Sequence, residues 1–213
     1  MKTYRVNSIF YSLQGEGYNT GRAAVFVRFA GCNLRCPFCD TEFDSYTEMT
    51  AEEIITKVSS LHPSPLTPHL SPLTSHLPLV VLTGGEPTLQ VDEAFVDLLH
   101  SAGYEVAMES NGTRPAPANL DWLTVSPKTR GERQDVRGKR MPDELKIVFD
   151  ENTDPETFLP PLTSHPTPLL FLQPCDTSDA QRNKAIIKAC VDYIKQHPQW
   201  RLSLQTHKLI GIE

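Results

Sequence analysis

Three observations point to an α/β chain folded as a partial, open (β/α) barrel. Short apolar runs alternate with segments of helical periodicity, the pattern of a parallel sheet whose strands are joined by crossover helices. Polar and glycine-rich motifs follow five of the apolar runs at one topological position, the carboxyl ends of strands, where such sheets gather their chemistry. At 213 residues the chain is shorter than the ~250 residues of a full eight-strand barrel, so about six parallel strands with fewer covering helices are expected.

Tyr4–Tyr11 is a flanking strand candidate, and Ala23–Ala30 is the first apolar run of the sheet. Thr50–Leu61 is the first helix, because Thr50 with Glu53 at the third position on makes a capping box. Leu79–Leu82 is a short apolar run, and Asp92–Ala102 is the second helix. Glu105–Glu109, Trp122–Ser126, Leu145–Phe149 and Leu169–Gln173 are further strands. Ser178–His197 is the last helix, with Ile186, Ile187, Cys190, Val191 and Ile194 at helical spacing. Arg201–Gln205 is a second flanking strand candidate. The motifs at the strand ends are Gly31-Cys32, Thr83-Gly-Gly-Glu-Pro87, Glu109-Ser-Asn-Gly-Thr113, Ser126-Pro-Lys128 and Gln173-Pro-Cys-Asp176.

Two stretches interrupt this pattern. Ser64–Leu70 (Ser-Pro-Leu-Thr-Pro-His-Leu) is followed at once by its near copy Ser71–Leu77, and a broken third copy begins at Pro161. Ten of the 18 prolines fall in 62–78 or 155–168. Proline lacks a backbone donor and restricts its predecessor, so both stretches are expected as surface loops. Long loop insertions cost little closure entropy. His62, His69 and His76 are read as copied with the repeat unit rather than as a metal tract. The chain is therefore read as one domain, 1–213, with loop insertions near 62–78 and 155–168.

The charge balance, 20 Lys and Arg against 26 Asp and Glu, argues against nucleic acid as a partner, which a basic face would serve. No apolar run approaches the ~18 residues of a membrane span. The opening segment Met1–Asn7 has no apolar core of a secretory signal, which predicts a cytoplasmic location.

Cys32, Cys36 and Cys39 crowd into one loop after the first apolar run, whereas Cys175 and Cys190 stand apart. In a reducing compartment such a cluster reads as metal or redox chemistry. A structural zinc site takes four ligands, usually as two pairs, and no second pair is present. Cubane [4Fe–4S] clusters ordinarily take four thiolates. Three thiolates leave one iron open to a substrate or cofactor.

The segment Gly31-Cys-Asn-Leu-Arg-Cys-Pro-Phe-Cys-Asp-Thr41 resembles the cluster loop of the radical S-adenosylmethionine (SAM) enzymes. Thr83–Pro87 is similar to their second signature, which contacts the methionyl amine of SAM. The resemblance narrows to the 7-carboxy-7-deazaguanine synthase family on several further motifs: Ser12-Leu-Gln-Gly-Glu-Gly17, Arg28, Cys39-Asp-Thr41, Glu109–Thr113, Ser126–Lys128, Glu144-Leu-Lys146, Gln173–Asp176 and Gln205-Thr-His-Lys208. It covers nearly the whole chain outside the two proline-rich stretches and residues 129–142. It implies a (β/α)6-type radical SAM barrel that converts 6-carboxy-5,6,7,8-tetrahydropterin to 7-carboxy-7-deazaguanine. SAM, a [4Fe–4S] cluster and Mg2+ are the implied cofactors. A reductase or flavodoxin-type electron donor and a homodimer are the implied partners.

Residue roles follow from the same resemblance. Cys32, Cys36 and Cys39 hold the cluster, and Thr41 ligates Mg2+ through its hydroxyl, an oxygen ligand suited to that hard cation. Leu13, Gln14, Gly15, Glu16, Arg28, Thr83 and Glu213 bind the substrate. Phe38, Cys39, Asp40, Gly85, Ser126, Pro127, Lys128, Gln173, Pro174, Cys175 and Asp176 line SAM. Arg28 lies inside an apolar run, where a charge is expensive unless paired. Its fork suits the substrate carboxylate, and a plain ion pair is the alternative. Lys128 has a surface lysine as its alternative, and Thr41 a turn or cap threonine. Cys175 as a fourth cluster ligand would close the open iron, so a packing role is expected for it. The residues also admit two rivals. One is a different radical SAM enzyme such as a glycyl-radical activase. The other is a non-enzymatic iron–sulfur or zinc protein.

Overall fold

In a computed structural model, residues 2–62, 77–128, 140–159 and 168–212 are described. The chain runs β1 (Thr3–Leu13), β2 (Ala23–Phe29), β3 (Thr47–Thr50), α1 (Ala51–Ser60), β4 (Leu79–Gly84), α2 (Glu93–Ser101) and β5 (Val106–Ser110). It continues through β6 (Trp122–Val125), β7 (Glu144–Phe149), β8 (Leu169–Pro174), α3 (Ala180–Gln196), β9 (Trp200–Leu202) and α4 (Thr206–Ile210). All described strands belong to one sheet of order β3-β1-β2-β4-β5-β6-β7-β8-β9. Strand β2 and strands β4 to β9 are parallel neighbours in that order. The expected six are thus extended by β9. The flanking strand β1 is antiparallel to both β2 and β3, and β3, whose run Thr-Glu-Met-Thr has only Met49 as an apolar residue, was not expected. A hairpin turn joins β1 to β2, so their directions must oppose, whereas the later strands return through crossovers. No ladder joins β3 to β9, and the barrel is open as expected.

Helices α1, α2 and α3 pack on β1 and β3, on β5, and on β8 and β9 respectively. The predicted capping box is present: Thr50 accepts from the Glu53 N–H while the Glu53 carboxylate accepts from the Thr50 N–H. Among the described residues no α-helix lies between β5 and α3, in keeping with reduced helical cover. No helix of the described residues is long and apolar enough to cross a membrane.

Alternation along the strands sorts the residues onto two faces. Val25, Val27, Phe29, Val80, Leu82, Val106, Met108, Leu145, Ile147, Leu170 and Leu172 enter the main core with the helices. The alternate positions face the concave side. There Ala24, Leu79, Val81 and Ala107 form a second apolar cluster, with Phe26 and Trp122 against it. Further along the same strands the concave positions turn polar: Arg28, paired in register with Thr83, then Glu109, Lys146 and Gln173. The apolar layer floors the barrel and the polar layer above it becomes the site.

Much of the first proline-rich stretch, 63–76, lies outside the described residues. The second is not all loop. Pro155–Phe158 forms a 3₁₀ turn capped by Asp154, and Phe158 and Leu159 pack on the core. The Trp200 indole donates to Glu156 at 3.2 Å. Proline is pre-organised for the first helical position, so Pro155 starts this turn where the sequence reading took it only as a breaker.

Candidate functional site

A cavity of about 590 Å³ opens on the concave side at the carboxyl ends of the strands. Its lining includes Cys32, Cys36 and Cys39, together with Thr41, Leu13, Gln14, Gly15, Glu16, Arg28 and Thr83. Phe38, Asp40, Gly85, Ser126, Lys128, Gln173, Pro174, Cys175 and Asp176 complete the predicted residues on its wall. Residues separated by up to 163 positions therefore meet at one place. Pro127 does not. It is buried behind the wall while Ser126 and Lys128 face the cavity, as alternate residues of an extended segment do. Glu213 lies outside the described residues.

The cysteine loop is anchored from behind by the Gly84-Gly85-Glu86 turn. The Gly85 N–H donates to Phe29 O and the Glu86 N–H to Gly31 O, each at 2.9 Å. A Cβ on Gly85 would run into the Gly31 carbonyl, so this close approach requires glycine. Glu86, with 0% exposure, is a structural knot. Its carboxylate accepts from the Thr88 hydroxyl at 2.6 Å, the Ser110 hydroxyl at 2.8 Å and the Asn111 N–H at 2.7 Å. It therefore ties the second signature to the end of β5, a role no motif announced.

Thiol electrostatics separate the cysteines. Burial pushes Cys36 up, Lys128 pulls it down, and Cys39 and Cys32 are its next neighbours. Burial also raises Cys175, but its charged neighbours are Asp150, Arg182 and Asp176, at the far end of the sheet. Cys190 is buried in the core, which pushes its thiol up to about 12. Burial lowers Lys128, and Lys146 adds to that. Among the described residues Lys128 has no carboxylate within ion-pair distance. Its ammonium donates to the Ser126 hydroxyl at 2.7 Å. Arg28 likewise makes no ion pair among the described residues. Its guanidinium lies 4.6 Å from the centre of the Phe10 ring and faces the cavity.

Opposite the cysteines is a charged cluster that sequence reasoning did not assemble. Lys146 on β7 donates to Glu16 at 2.5 Å and to Glu109 on β5 at 2.8 Å. Burial alone would lower the Lys146 pKa, but the two carboxylates outweigh it and raise it. Burial would raise Glu16, and Lys146 outweighs that to lower it. The signal was present, since Lys146 sits inside the apolar run 145–149 just as Arg28 sits inside its own. Gln205, His207 and Lys208 also reach the cavity wall. Lys208 joins Asp40 at 2.6 Å to Asp176 at 2.9 Å, and Thr206 donates to the Gly15 carbonyl at 2.8 Å. These bonds from α4 span the open side that no strand ladder closes.

The turn between β1 and β2 seats against β7 through Glu144, which accepts from the Tyr18 N–H at 2.9 Å. Gly17 has φ +64°, and a Cβ there would strike the Glu144 carboxylate, so both backbone and space demand glycine. Among the described residues Glu144 Oε1 is buried with no partner at hydrogen-bond geometry, and the Trp122 indole lies near the carboxylate. Burial, opposed chiefly by the Tyr18 N–H, raises its pKa from 4.5 to about 7. The native state then holds a proton that the unfolded state has released between those two values, so stability falls as pH rises from about 4.5 to about 7. Glu144→Gln removes this dependence. Unfolding free energies from urea titration are expected to move in the variant's favour by roughly 2–3 kcal/mol between pH 4.5 and 8. Parallel pH profiles for the two proteins would contradict the assignment.

The chain matches the family model described as the Radical SAM superfamily over residues 26–144. It is 47% identical over 209 residues to the 7-carboxy-7-deazaguanine synthase of Bacteroides thetaiotaomicron, covering 98% of each chain. It is 43% identical over 224 residues to the 7-carboxy-7-deazaguanine synthase of Nitratidesulfovibrio vulgaris, covering 99% of each. Its fold is similar to the crystal structure of QueE from Escherichia coli, with a TM-score of 0.71 and 26% identity over 95% of this chain and 93% of that one.

Proposed function

This chain belongs to the radical SAM superfamily and, within it, to the 7-carboxy-7-deazaguanine synthases, and from that membership we propose how its cavity divides the work. The reaction is the conversion of 6-carboxy-5,6,7,8-tetrahydropterin to 7-carboxy-7-deazaguanine, in which the ring contracts and ammonia leaves. The observation that carries the site reading is the cavity itself, whose lining combines three thiols with Arg28, Glu16 and Lys146.

Cys32, Cys36 and Cys39 would hold the [4Fe–4S] cluster through their thiolates. Among the described residues no three His, Cys, Asp or Glu side chains close around a single ion, which a cubane does not require. Lys128 near Cys36 supplies a counter-charge to a thiolate-ligated cluster. Held together on these residues, a reduced cluster and SAM would supply the one-electron radical chemistry that the ring contraction needs. Gly85, Ser126, Lys128 and the segment Gln173–Asp176 line SAM, with Phe38 against its adenine. The lone ammonium of Lys128 suits the carboxylate of SAM's methionine part.

The substrate is held at two ends. Glu16 and the backbone of Leu13–Gly15 take the pterin edge, and Arg28 takes the carboxylate. Mg2+ is proposed on the Thr41 hydroxyl. A hydroxyl oxygen suits that hard cation, which would take its remaining ligands from other oxygen donors. A reductase or flavodoxin-type donor, a cytoplasmic location and a homodimer complete the proposal. The exposure of Leu209 at 71% and Ile210 at 62% supports a covered surface beside α4.

The test is anaerobic reconstitution with iron and sulfide, followed by incubation with carboxytetrahydropterin, SAM and dithionite. Formation of 7-carboxy-7-deazaguanine, with SAM not consumed stoichiometrically, is expected. SAM cleavage that leaves the pterin untouched would assign the chain to a different radical SAM reaction.

A further inference from the structure

Lys146 sits where three distant parts of the chain meet. It projects from β7 onto the concave face, and its side chain is 4% exposed. Glu16 comes from the turn between β1 and β2, and Glu109 from β5. Each carboxylate gives one oxygen to Lys146. The second oxygen of Glu16 accepts from Gln205 at 3.2 Å, and that of Glu109 from Gln14 at 3.2 Å. All these residues line the cavity.

Stability alone does not account for this arrangement. An apolar trio of similar volume commonly serves a core as well as buried ions do, or better. The trio's value lies in what it presents to a ligand. Two carboxylates against one ammonium leave an excess negative charge, which accepts hydrogen bonds. The ammonium has three N–H donors. Two are spent on the carboxylates, and no third acceptor lies within hydrogen-bond distance among the described residues. The wall therefore offers acceptors beside one donor. A ring edge that presents N–H groups next to a carbonyl matches that order.

We propose that Lys146 is the positioning residue for the pterin. Its ammonium holds Glu16 and Glu109 as a pair of ionised acceptors for the amino and ring N–H groups, and its third N–H meets the 4-oxo group. The inference rests on the pterin reading above and deepens it. The charged groups around the trio are Arg28 on β2, Glu144 on β7, Lys128 after β6 and His207 on α4. Of these, Glu144 lies on the same strand face and titrates near neutrality, so its own Gln variant serves as a control.

The probe is the fluorescent 6-carboxypterin, titrated into cluster-loaded, SAM-bound, unreduced enzyme between pH 6 and 8.5. Wild type and Glu144→Gln are expected to bind with affinities that change less than about threefold over this range. Lys146→Met removes the charge, and the facing carboxylates then share a proton. Its binding is expected to weaken roughly ten- to a hundredfold at pH 6 and to recover in part as the pH rises. Lys146→Arg keeps the charge and is expected to restore the flat profile with intermediate affinity. A Lys146→Met protein whose affinity and pH profile match wild type overturns the proposal, even if its melting temperature falls.

A second measurement needs no variant. The 2,4-diamino analogue of the probe replaces the carbonyl with a donor, and wild type is expected to bind it at least tenfold more weakly. Equal binding overturns the proposal, and this holds even if Lys146→Met does not fold. If wild type neither binds the probe nor converts carboxytetrahydropterin, the functional reading itself has failed. If wild type converts the substrate but the two comparisons come out equal, only the role of Lys146 has.

Discussion

Cys36→Ala is expected to lose the cluster and all SAM cleavage, while Cys175→Ala keeps both. Cubanes are held by thiolates, and Cys36 shares its electrostatic surroundings with Cys32 and Cys39. With one of three removed, two thiolates cannot hold the cubane and keep an open iron. Cys175 lines the same cavity, but its charged neighbours are Asp150, Arg182 and Asp176 rather than the three loop cysteines. The measurements are iron and sulfide content with the visible absorption of reconstituted protein, and then 5′-deoxyadenosine release under dithionite. Iron in Cys36→Ala is expected below roughly a tenth of wild type, with Cys175→Ala close to wild type. Equal loss in the two variants would mean a fourth protein ligand and no open iron for SAM.

Arg28→Ala should keep the cluster and the slow SAM cleavage seen without substrate, yet lose ring contraction steeply. Charge-assisted hydrogen bonds are worth about 1.5–3 kcal/mol. That is roughly ten- to over a hundredfold in substrate affinity, before misalignment of the reacting hydrogen adds its own loss. Among the described residues Arg28 has no carboxylate partner and lies over the Phe10 ring, which supports the substrate role over a plain ion pair. Arg28→Lys should rescue only in part, since an ammonium is a point charge and cannot copy the planar fork. Wild-type turnover and KM in Arg28→Ala would remove Arg28 from the substrate site.

The fold was legible wherever the signal was local. The Thr50–Glu53 capping box marks the start of α1 within four residues. The apolar runs at 79–82 and 145–149 are recognisable without any partner. The strand β3 was not, because Thr47–Thr50 carries a single apolar residue, Met49, and its pairing with Thr3–Val6 is not visible locally. The turn at Pro155–Phe158 was hidden for the opposite reason, since a residue that breaks helices also starts them.

The site divides in the same way. The cysteine loop, the glycine turn at 84–86 and the motifs at strand ends are short segments, each legible by itself. Their convergence follows from parallel strands, which bring every carboxyl end to one rim. Arg28 was legible as a charge in an apolar run. Lys146 carried the same mark, but its partners Glu16 and Glu109 stand 130 and 37 residues away, and no local pattern names them. The knot at Glu86 likewise depends on Ser110 and Asn111, across to another strand.

By itself, then, the amino-acid sequence determined the cysteine loop, the parallel sheet with reduced helical cover, and the short motifs at the strand ends. Hydrophobic period and turn chemistry act over a few residues and can be read from them. Only the tertiary structure decided the antiparallel edge, the ionic trio around Lys146, and the closing of the open side. That side is spanned by the bonds of Thr206 to Gly15 and of Lys208 to Asp40 and Asp176. Such contacts join segments far apart in the chain. They exist because the sheet's curvature brings its two edges together, and curvature is a property of the assembled strands rather than of any one of them.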